Sequence, residues 1–259
     1  KNMEKLTLIK VGGKIVEEPD SLKQLLTDFS RLEGKKALVH GGGRSATKLA
    51  EQLGIESRMV NGRRITDLET LKVVTMVYGG LVNKNIVAGL QAIGVNALGL
   101  TGADMNMIRS VKRPVKDIDY GYVGDVVEVN VNILASLVSQ GVVPVLAPLT
   151  HDKEGHLLNT NADTIAGETA KALAKVFDVS LVYCFEKKGV LMDENDDDSV
   201  ISKINMSDFE RLVDEGIIQG GMIPKLENAF ASLRSGVKEV VITRASEIGK
   251  GTGTLVALE

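Results

Sequence analysis

Three short polar side chains alternate near the middle of the chain, just before a run of small and apolar residues. Asn159, Asn161 and Asp163 occupy every second position of the sequence LNTNAD. A helix cap needs only one such residue, because one side-chain oxygen accepts a free N–H of the first turn. Three at period two would share one face of an extended strand, in front of a helix N-terminus where anions bind readily. The stretch therefore has two interpretations, a helix cap or a binding site.

Two lysines stand where a positive charge is unexpected. Lys10 interrupts the apolar, strand-like sequence KLTLIKV near its carboxyl end. Lys225 follows Pro224, which suits the first turn of a helix, where a cation opposes the helix dipole by ~0.3–1 kcal/mol. Either lysine alone is compatible with an exposed side chain. The alternative is a bound anion at both positions, with Asp163 as the carboxylate that holds the two ammonium groups together.

Glycine-rich turns follow the first two predicted strands, at Gly12-Gly13 and Gly41–Gly43. The second turn matches G-x-G-x-x-A, but the acidic residue expected ~20 positions later in a dinucleotide site is absent. The turns have two other interpretations, a tight bend or a set of N–H groups that bind phosphoryl oxygens. Neither a Walker A nor a G-x-S-x-G motif occurs in the chain, which argues against P-loop and α/β-hydrolase chemistry.

Adjacent arginines occur in the sequence NGRRIT, at Arg63 and Arg64, after a predicted turn. A solvated pair is one interpretation. The other is a carboxylate clamp, because a guanidinium binds a carboxylate through two parallel hydrogen bonds.

Composition limits the class of protein. The chain has 259 residues, 44% of them apolar, and a formal net charge of −3, which does not indicate a nucleic-acid partner. The single cysteine excludes an internal disulfide and fits a reducing cytoplasm, and three scattered histidines argue against a zinc site. We expect no membrane-spanning segment, because no apolar run approaches ~18 residues.

The elements that must position these residues alternate between strand and helix, and several predicted strands are continuous apolar runs. This pattern predicts an α/β protein, a three-layer α-β-α sandwich around a mainly parallel open sheet. The stretch from Ile108 to Val129 predicts antiparallel hairpins, and the stretch from Leu68 to Ile93 a long helix. Ligands of such sheets gather at the carboxyl ends of the strands, where the glycine turns lie.

Taken together, these motifs resemble the amino-acid kinase family over nearly the whole chain. The matching segments, in order, are IKVGGK, VHGGG, NGRRIT, LVNKNIV, GLTGADMNMI, GYVGDV, LNTNAD, GGMIPKL and GKGTGT. The resemblance implies phosphorylation of the γ-carboxylate of an N-acylated glutamate by ATP with Mg²⁺. It also implies one domain, 1–259, with an acylglutamate-binding lobe at about 1–178 and a nucleotide-binding lobe at about 179–259.

The same resemblance implies roles for individual residues. Lys10 and Lys225 would neutralise the transferring phosphoryl group, and Asp163 would hold both lysines in place. Arg64 and Asn159 would bind the substrate α-carboxylate, and Asn161 would line the same site. The glycines that would donate N–H bonds to phosphoryl oxygens are Gly12, Gly13, Gly42 and Gly43. No protein ligand to a metal is implied, since the nucleotide phosphates would hold Mg²⁺.

One departure and several alternatives remain open. Phe185 and Glu186 stand where the family usually has a Ser/Thr-Asp pair, close to the expected nucleotide site. An aspartate, glutamate or carbamate kinase, an N-succinylglutamate kinase, a sensor without activity and a dinucleotide-dependent enzyme are the alternatives. In the family, the members that arginine inhibits have an extra N-terminal helix that links dimers into a hexamer. Only nine residues precede Lys10 here, so we expect a homodimer, paired through the Leu68–Ile93 helix, that arginine does not inhibit. We expect this homodimer to be cytoplasmic.

Overall fold

A computed structural model of the chain describes residues 3–259 as an α/β fold. The strands are β1 (Lys5–Val11), β2 (Lys35–His40), β3 (Met59–Val60), β4 (Arg63–Arg64), β5 (Ala97–Leu100), β6 (Ile108–Lys112), β7 (Gly124–Val129), β8 (Val143–Leu146), β9 (Leu149–His151), β10 (Leu157–Asn159), β11 (Asp178–Phe185), β12 (Lys203–Ile204), β13 (Glu239–Arg244) and β14 (Thr254–Val256). The helices are α1 (Lys14–Glu17), α2 (Pro19–Ser30), α3 (Gly43–Gln52), α4 (Leu68–Val74), α5 (Asn83–Ala92), α6 (Val131–Ser139), α7 (Ala162–Leu173), α8 (Met206–Asp214) and α9 (Met222–Arg234).

The main sheet has eight strands in the order β12-β14-β13-β11-β1-β2-β8-β5. Every neighbouring pair is parallel except β13 with β14. β1 lies at the centre of the sheet, between β11 and β2. The carboxyl ends of these three strands, which glycine or polar residues follow, are therefore adjacent. The mainly parallel sheet confirms the predicted fold class.

Helices cover both faces of this sheet, because side chains alternate between the faces along each strand. Leu6 and Leu8 of β1 belong to a core cluster shared with α6, α7, α8 and α9. Ile9 and Val11 belong to a second cluster shared with α1 to α5. The two clusters lie on opposite faces of the sheet, between the sheet and its helices, as the predicted three-layer sandwich requires.

A four-stranded sheet, in the order β10-β9-β6-β7, lies apart from the main sheet. The pair β6 with β7 is antiparallel, which confirms the hairpin predicted in Ile108–Val129, and the antiparallel pair β9 with β10 is a hairpin that the sequence did not predict. β3 and β4 form a separate antiparallel hairpin of four paired residues. These small sheets place Arg64 and Asn159 beside the glycine turn that follows β2.

The predicted long helix is present, but it is not uniformly α-helical. A π-helical segment, Thr75–Val82, connects α4 to α5. By length and composition this 25-residue helix, Leu68–Ala92, could cross a membrane, although 44% of its most apolar window is buried. Its buried side chains, including Val73, Val77 and Ile86, belong to the core against β2 and β8. The absence of a membrane-spanning segment therefore stays a prediction.

Candidate functional site

A carboxylate and two lysines form a compact cluster above the centre of the main sheet. The Asp163 Oδ1 atom lies 3.1 Å from Lys10 Nζ and 2.9 Å from Lys225 Nζ. Lys225 also donates to Asp163 Oδ2 at 3.0 Å. The three side chains are only 9–13% exposed. The structure therefore brings together the three residues predicted to be catalytic, which are 153 and 62 positions apart along the chain.

The alternation of β1 explains how Lys10 reaches this cluster. Lys10 points to the same face of the sheet as Leu6 and Leu8, the face that α7 and α9 cover. Asp163 lies in the first turn of α7 and Lys225 in the first turn of α9. Both helices begin at the carboxyl-end edge of the sheet, so their first turns meet over the end of β1.

Electrostatics keeps this cluster positively charged. Burial acts against the charged form of Asp163, but the charges of Lys10 and Lys225 outweigh it and lower the pKa to about 2. Burial, followed by repulsion from Lys10, lowers the pKa of Lys225 to about 8 despite the attraction of Asp163. One carboxylate thus faces two ammonium groups, and the net charge of one positive unit favours an anion beside it.

The two glycine turns lie next to each other in front of this cluster. A Cβ on Gly12 would come within 2.5 Å of Lys10 Nζ, and a Cβ on Gly41 would lie 3.5 Å from the Gly12 Cα atom. Gly13 has φ +56° and precedes α1. Side chains at these positions would fill the space between the lysine and the turns, so the glycines keep this space open.

Arg64 is anchored to the second glycine turn. Its Nη2 atom donates to the Gly43 carbonyl at 2.9 Å and to Thr47 Oγ1 at 3.0 Å, and Nη1 donates to Ser57 Oγ at 3.1 Å. The side chain is 7% exposed, and its Nε atom is buried without an acceptor among the described residues. The guanidinium of Arg64 therefore has one N–H donor that the described residues leave unused.

A cavity of about 180 Å³ adjoins this turn and is lined by Gly42, Gly43, Arg64, Asn159 and Asn161. The Asn159 side chain donates to Thr66 Oγ1 at 3.1 Å, which leaves its amide oxygen free. Lys10, Asp163 and Lys225 do not line this cavity. The predicted binding residues therefore form a small pocket beside the cationic cluster, and Gly42 and Gly43 also line a wider cleft of about 560 Å³ that reaches Lys10, Gly12 and Gly13.

The interpretation of LNTNAD as one strand face is wrong beyond Asn159. β10 ends at Asn159, and Asn161 is the N-cap of α7, where its Oδ1 atom accepts from the Thr164 N–H at 3.1 Å. Asp163 is already helical. Asn159 and Asn161 still line one cavity, whereas Asp163, in the first turn of α7, contacts the two lysines.

Sequence reasoning missed one residue of this site and left the role of another open. Tyr78, in the π-helical segment, lines the cavity, and its ring would lie 3.2 Å from a Cβ on Gly42. Glu186, the residue that departs from the family pattern, lies 3.3 Å from Arg44 and faces Gly13. The apolar sequence MVYGGL gave no signal for Tyr78, because only the π-helical geometry directs its ring at the glycine turn.

Comparison with known proteins identifies the family. The model of the amino acid kinase family matches residues 5–244. The chain belongs to the amino acid kinase family. It is 75% identical to the acetylglutamate kinase of Parabacteroides distasonis, over 98% of this chain and 100% of that protein. This amino acid kinase family member is therefore an enzyme, a kinase that uses ATP.

Solved structures agree with the fold. The crystal structure of smu.665 from Streptococcus mutans superposes with a TM-score of 0.83 and 31% identity, covering 98% of this chain and 99% of that one. Carbamate kinase from Giardia lamblia superposes with a TM-score of 0.69 at 14% identity, over 100% of this chain and 99% of that one. The second likeness shows the shared fold alone.

The site fits the phosphates of a nucleotide. The bare backbone at Gly12 leaves room beside Lys10, and the cluster supplies positive charge. Both Asp163 oxygens already accept from lysines, so this carboxylate has little capacity left for a metal. Mg²⁺ would therefore be held mainly by the phosphates, where it neutralises part of their charge.

Proposed function

We propose that the protein transfers the γ-phosphoryl group of ATP to the γ-carboxylate of an N-acyl-L-glutamate. The observation that carries this proposal is the buried Lys10–Asp163–Lys225 cluster, whose net positive charge lies beside a small pocket with an anchored arginine. The 75% identity to a protein named acetylglutamate kinase supports acetyl as the acyl group. The product would be the acyl phosphate of the second step towards ornithine and arginine.

The reaction requires little covalent chemistry from the protein itself. A glutamate γ-carboxylate has a pKa of ~4.3, so at neutral pH it is already an anionic nucleophile and needs no general base. One carboxylate oxygen forms a bond to the γ-phosphorus while the bond from that phosphorus to the β,γ-bridging oxygen breaks, and ADP leaves. The barrier lies in crowded negative charge and in alignment, which Lys10, Lys225 and the glycine N–H groups address.

The pocket accounts for recognition of the other end of the substrate. Arg64 and Asn159 would bind the α-carboxylate, because the guanidinium of Arg64 and the second amide N–H of Asn159 have hydrogen-bond donors without an acceptor among the described residues. Gly42 and Gly43 line both this pocket and the cleft that reaches Lys10. A bound acylglutamate could thus place its γ-carboxylate towards the lysines while its α-carboxylate stays at the arginine.

A larger acyl group is a second candidate, because Arg63 lines the same cavity as Arg64. Burial and the neighbouring charge of Arg113 lower the pKa of Arg63, although the charge of Asp125 acts in the opposite direction. A carboxylate at the end of a succinyl group would pair with such a residue. Acetyl offers no charge there, so the two substrates differ at this end only.

An ATP-dependent hydroxamate assay tests the function. Hydroxylamine traps acyl phosphates, and the panel should contain N-acetyl- and N-succinyl-L-glutamate, free glutamate, aspartate and carbamate. We expect turnover of an N-acylated glutamate and little of the free amino acids. Turnover of aspartate or glutamate would show another specificity within the family, and no turnover of any acceptor would support a sensor. An N-acetylglutamate rate more than tenfold above that of N-succinylglutamate would exclude the larger acyl group.

A further inference from the structure

His40, the last residue of β2, is fully buried directly beneath the second glycine turn. Its Nδ1 atom lies 2.7 Å from the carbonyl oxygen of Gly41, and its Nε2 atom lies 3.1 Å from Asn83 Nδ2. Asn83 is also buried and donates to the Val145 carbonyl at 3.1 Å. The imidazole therefore connects the glycine turn to β8.

These contacts allow only one tautomer of His40. A carbonyl oxygen can only accept, so Nδ1 must carry the proton that it donates to Gly41. The amide nitrogen of Asn83 donates, as its bond to Val145 shows, and Lys84 Nζ donates to the amide oxygen at 3.0 Å. Nε2 of His40 must therefore accept. The imidazole is neutral, with its proton fixed on Nδ1.

Every carbonyl of the turn has a partner. The Gly41 oxygen accepts from His40, the Gly42 oxygen from the Ala46 N–H at 3.0 Å, and the Gly43 oxygen from Arg64 at 2.9 Å. The Gly42 and Gly43 N–H groups donate to no acceptor in residues 3–259. The turn is thus held through its carbonyls, and its two free N–H groups remain for a ligand.

Peptide geometry links the first of these carbonyls to the first of these N–H groups. The carbonyl of Gly41 and the N–H of Gly42 belong to one planar trans peptide, in which they point in opposite directions. We propose that His40 is a positioning residue: by holding the Gly41 carbonyl towards the sheet, it aims the Gly42 N–H at the transferring phosphoryl group. No substrate atom needs to touch His40 for it to affect the rate.

The anchor beneath His40 is buried and closely packed. Asn83 is the first residue of α5, immediately after the π-helical segment, and its side chain lies against the β5 residue Gly99, where a Cβ would collide with it. The Gly41 carbonyl and the Gly42 N–H belong to one planar peptide, so they can only rotate together. A change in the direction of the Gly41 carbonyl must therefore appear in the Gly42 N–H.

Two conservative variants separate positioning from packing. In His40→Asn, the amide nitrogen takes the place of Nδ1 and can still donate to Gly41. In His40→Gln, the longer side chain places its amide where Nε2 was, in contact with Asn83, but the donor to the Gly41 carbonyl is lost. Both remove the ring, so a loss of packing affects them alike.

The kinetic readout rests on the proposed function. We expect His40→Asn to keep a kcat close to wild type and His40→Gln to lose ~10²-fold in kcat, the typical effect of one misplaced electrostatic donor, with little change in KM. Equal losses in both variants, or an intact kcat in His40→Gln, would overturn the proposal. If the wild-type enzyme phosphorylates none of the acceptors, the proposed function is refuted. The comparison of the two variants, in contrast, tests only the role of His40.

Nuclear magnetic resonance gives a readout that needs neither substrate nor activity. The imidazole nitrogens of the wild-type protein should report a proton on Nδ1, and the amide resonance of Gly42 should be similar in wild type and His40→Asn but displaced in His40→Gln. A proton on Nε2 in the wild type contradicts the proposal even if both variants fail to fold. Circular dichroism and thermal unfolding confirm that the compared variants are folded.

Discussion

At the scale of single residues, the two lysines of the site are distinguished from the other lysines by what surrounds them. Lys10 and Lys225 share one buried carboxylate, whereas Lys238 pairs with Asp178 at 2.8 Å with more than half of its side chain exposed. A pair in solvent contributes little to stability, because water screens it. A buried cluster with one carboxylate for two cations instead has unbalanced charge available for a ligand.

Replacing Lys10 or Lys225 with Ala should lower kcat by ~10²–10³ and change the KM for acylglutamate far less, since each acts on charge that is greatest in the transition state. Steady-state rates of the hydroxamate reaction measure this. Lys238→Ala is the matched control, because it also breaks a lysine–aspartate pair but lies outside the site. A Lys10→Ala enzyme with the kcat of wild type would remove this lysine from the mechanism.

The lowered pKa of Lys225 predicts how activity depends on pH. Because the lysine must carry its proton to act on a phosphoryl group, kcat/KM should fall as the pH rises through about 8. Asp163→Asn removes the charge that favours the protonated form, so it should lower the rate and move this decline to lower pH. A decline that stays at the same pH in Asp163→Asn would assign it to a different group.

The same shift has the opposite consequence for stability. Between about 8 and the ordinary lysine pKa of 10.5, the unfolded chain holds a proton that folded Lys225 has lost. The contribution of this group to the free energy of unfolding therefore increases with pH across that window. Denaturant titrations measure the free energy of unfolding of wild type and Lys225→Met at pH 7.5 and 10. From the lower to the higher pH, this free energy should increase less, or decrease more, in the variant than in wild type. Identical changes in both would contradict the shift.

At the scale of elements, the N-terminus of α7 has both a structural and a functional role, carried by residues close together in the sequence. Asn161 closes the N-terminus of the helix, and Asp163, two positions later, organises the lysines. The cap therefore fixes where the helix begins, and the beginning of the helix fixes the position of the carboxylate. The same arrangement explains why one short sequence contains both structural and functional signals.

Two substitutions at Asn161 separate these tasks. Asn161→Ala should lower the free energy of unfolding by ~1 kcal/mol, the usual effect of losing a cap, and should lower activity. Asn161→Ser keeps a cap oxygen but removes the amide, so stability should remain near wild type while the KM for acylglutamate rises. Urea titration and the hydroxamate assay measure the two effects. Unchanged kinetics in Asn161→Ser would show that Asn161 acts only as a cap.

At the scale of the whole molecule, the edge strand β5 and the long helix both carry exposed apolar side chains. Leu98 of the edge strand β5 is 37% exposed, and Met76 and Leu81 of the π-helical segment are 51% and 58% exposed. An uncovered strand edge beside apolar side chains favours association. We propose that two copies pair through this side of the long helix, and that this homodimer acts in the cytoplasm.

Light scattering tests the pairing. Leu81→Lys should convert the dimer to a monomer at micromolar concentration, because the charge would be buried without a partner. Leu255→Lys is the control, since Leu255 is also partly exposed but lies on β14, near the opposite edge of the sheet. A wild-type monomer, or a dimer that persists in Leu81→Lys, would show that the surface is not the interface.

The sequence by itself determined the alternation of strands and helices and the mainly parallel sheet, and it predicted Lys10, Asp163 and Lys225, which the structure brings together. These follow from local signals, namely apolar runs, glycine turns and charges in places where a helix or a strand disfavours them. Lys10 and Lys225 were identifiable because each breaks a local rule. The family resemblance then assigned them a common role.

Only the tertiary structure decided which atoms meet. The strand pattern expected at LNTNAD gave way to a cap at Asn161, because the hairpin ends at Asn159 and the chain must turn into α7. The π-helical segment, the ring of Tyr78 and the contact of His40 with Gly41 gave no local signal. Their positions depend on packing between β2, β8 and the long helix, elements that are far apart along the chain, and no short stretch of sequence contains that information.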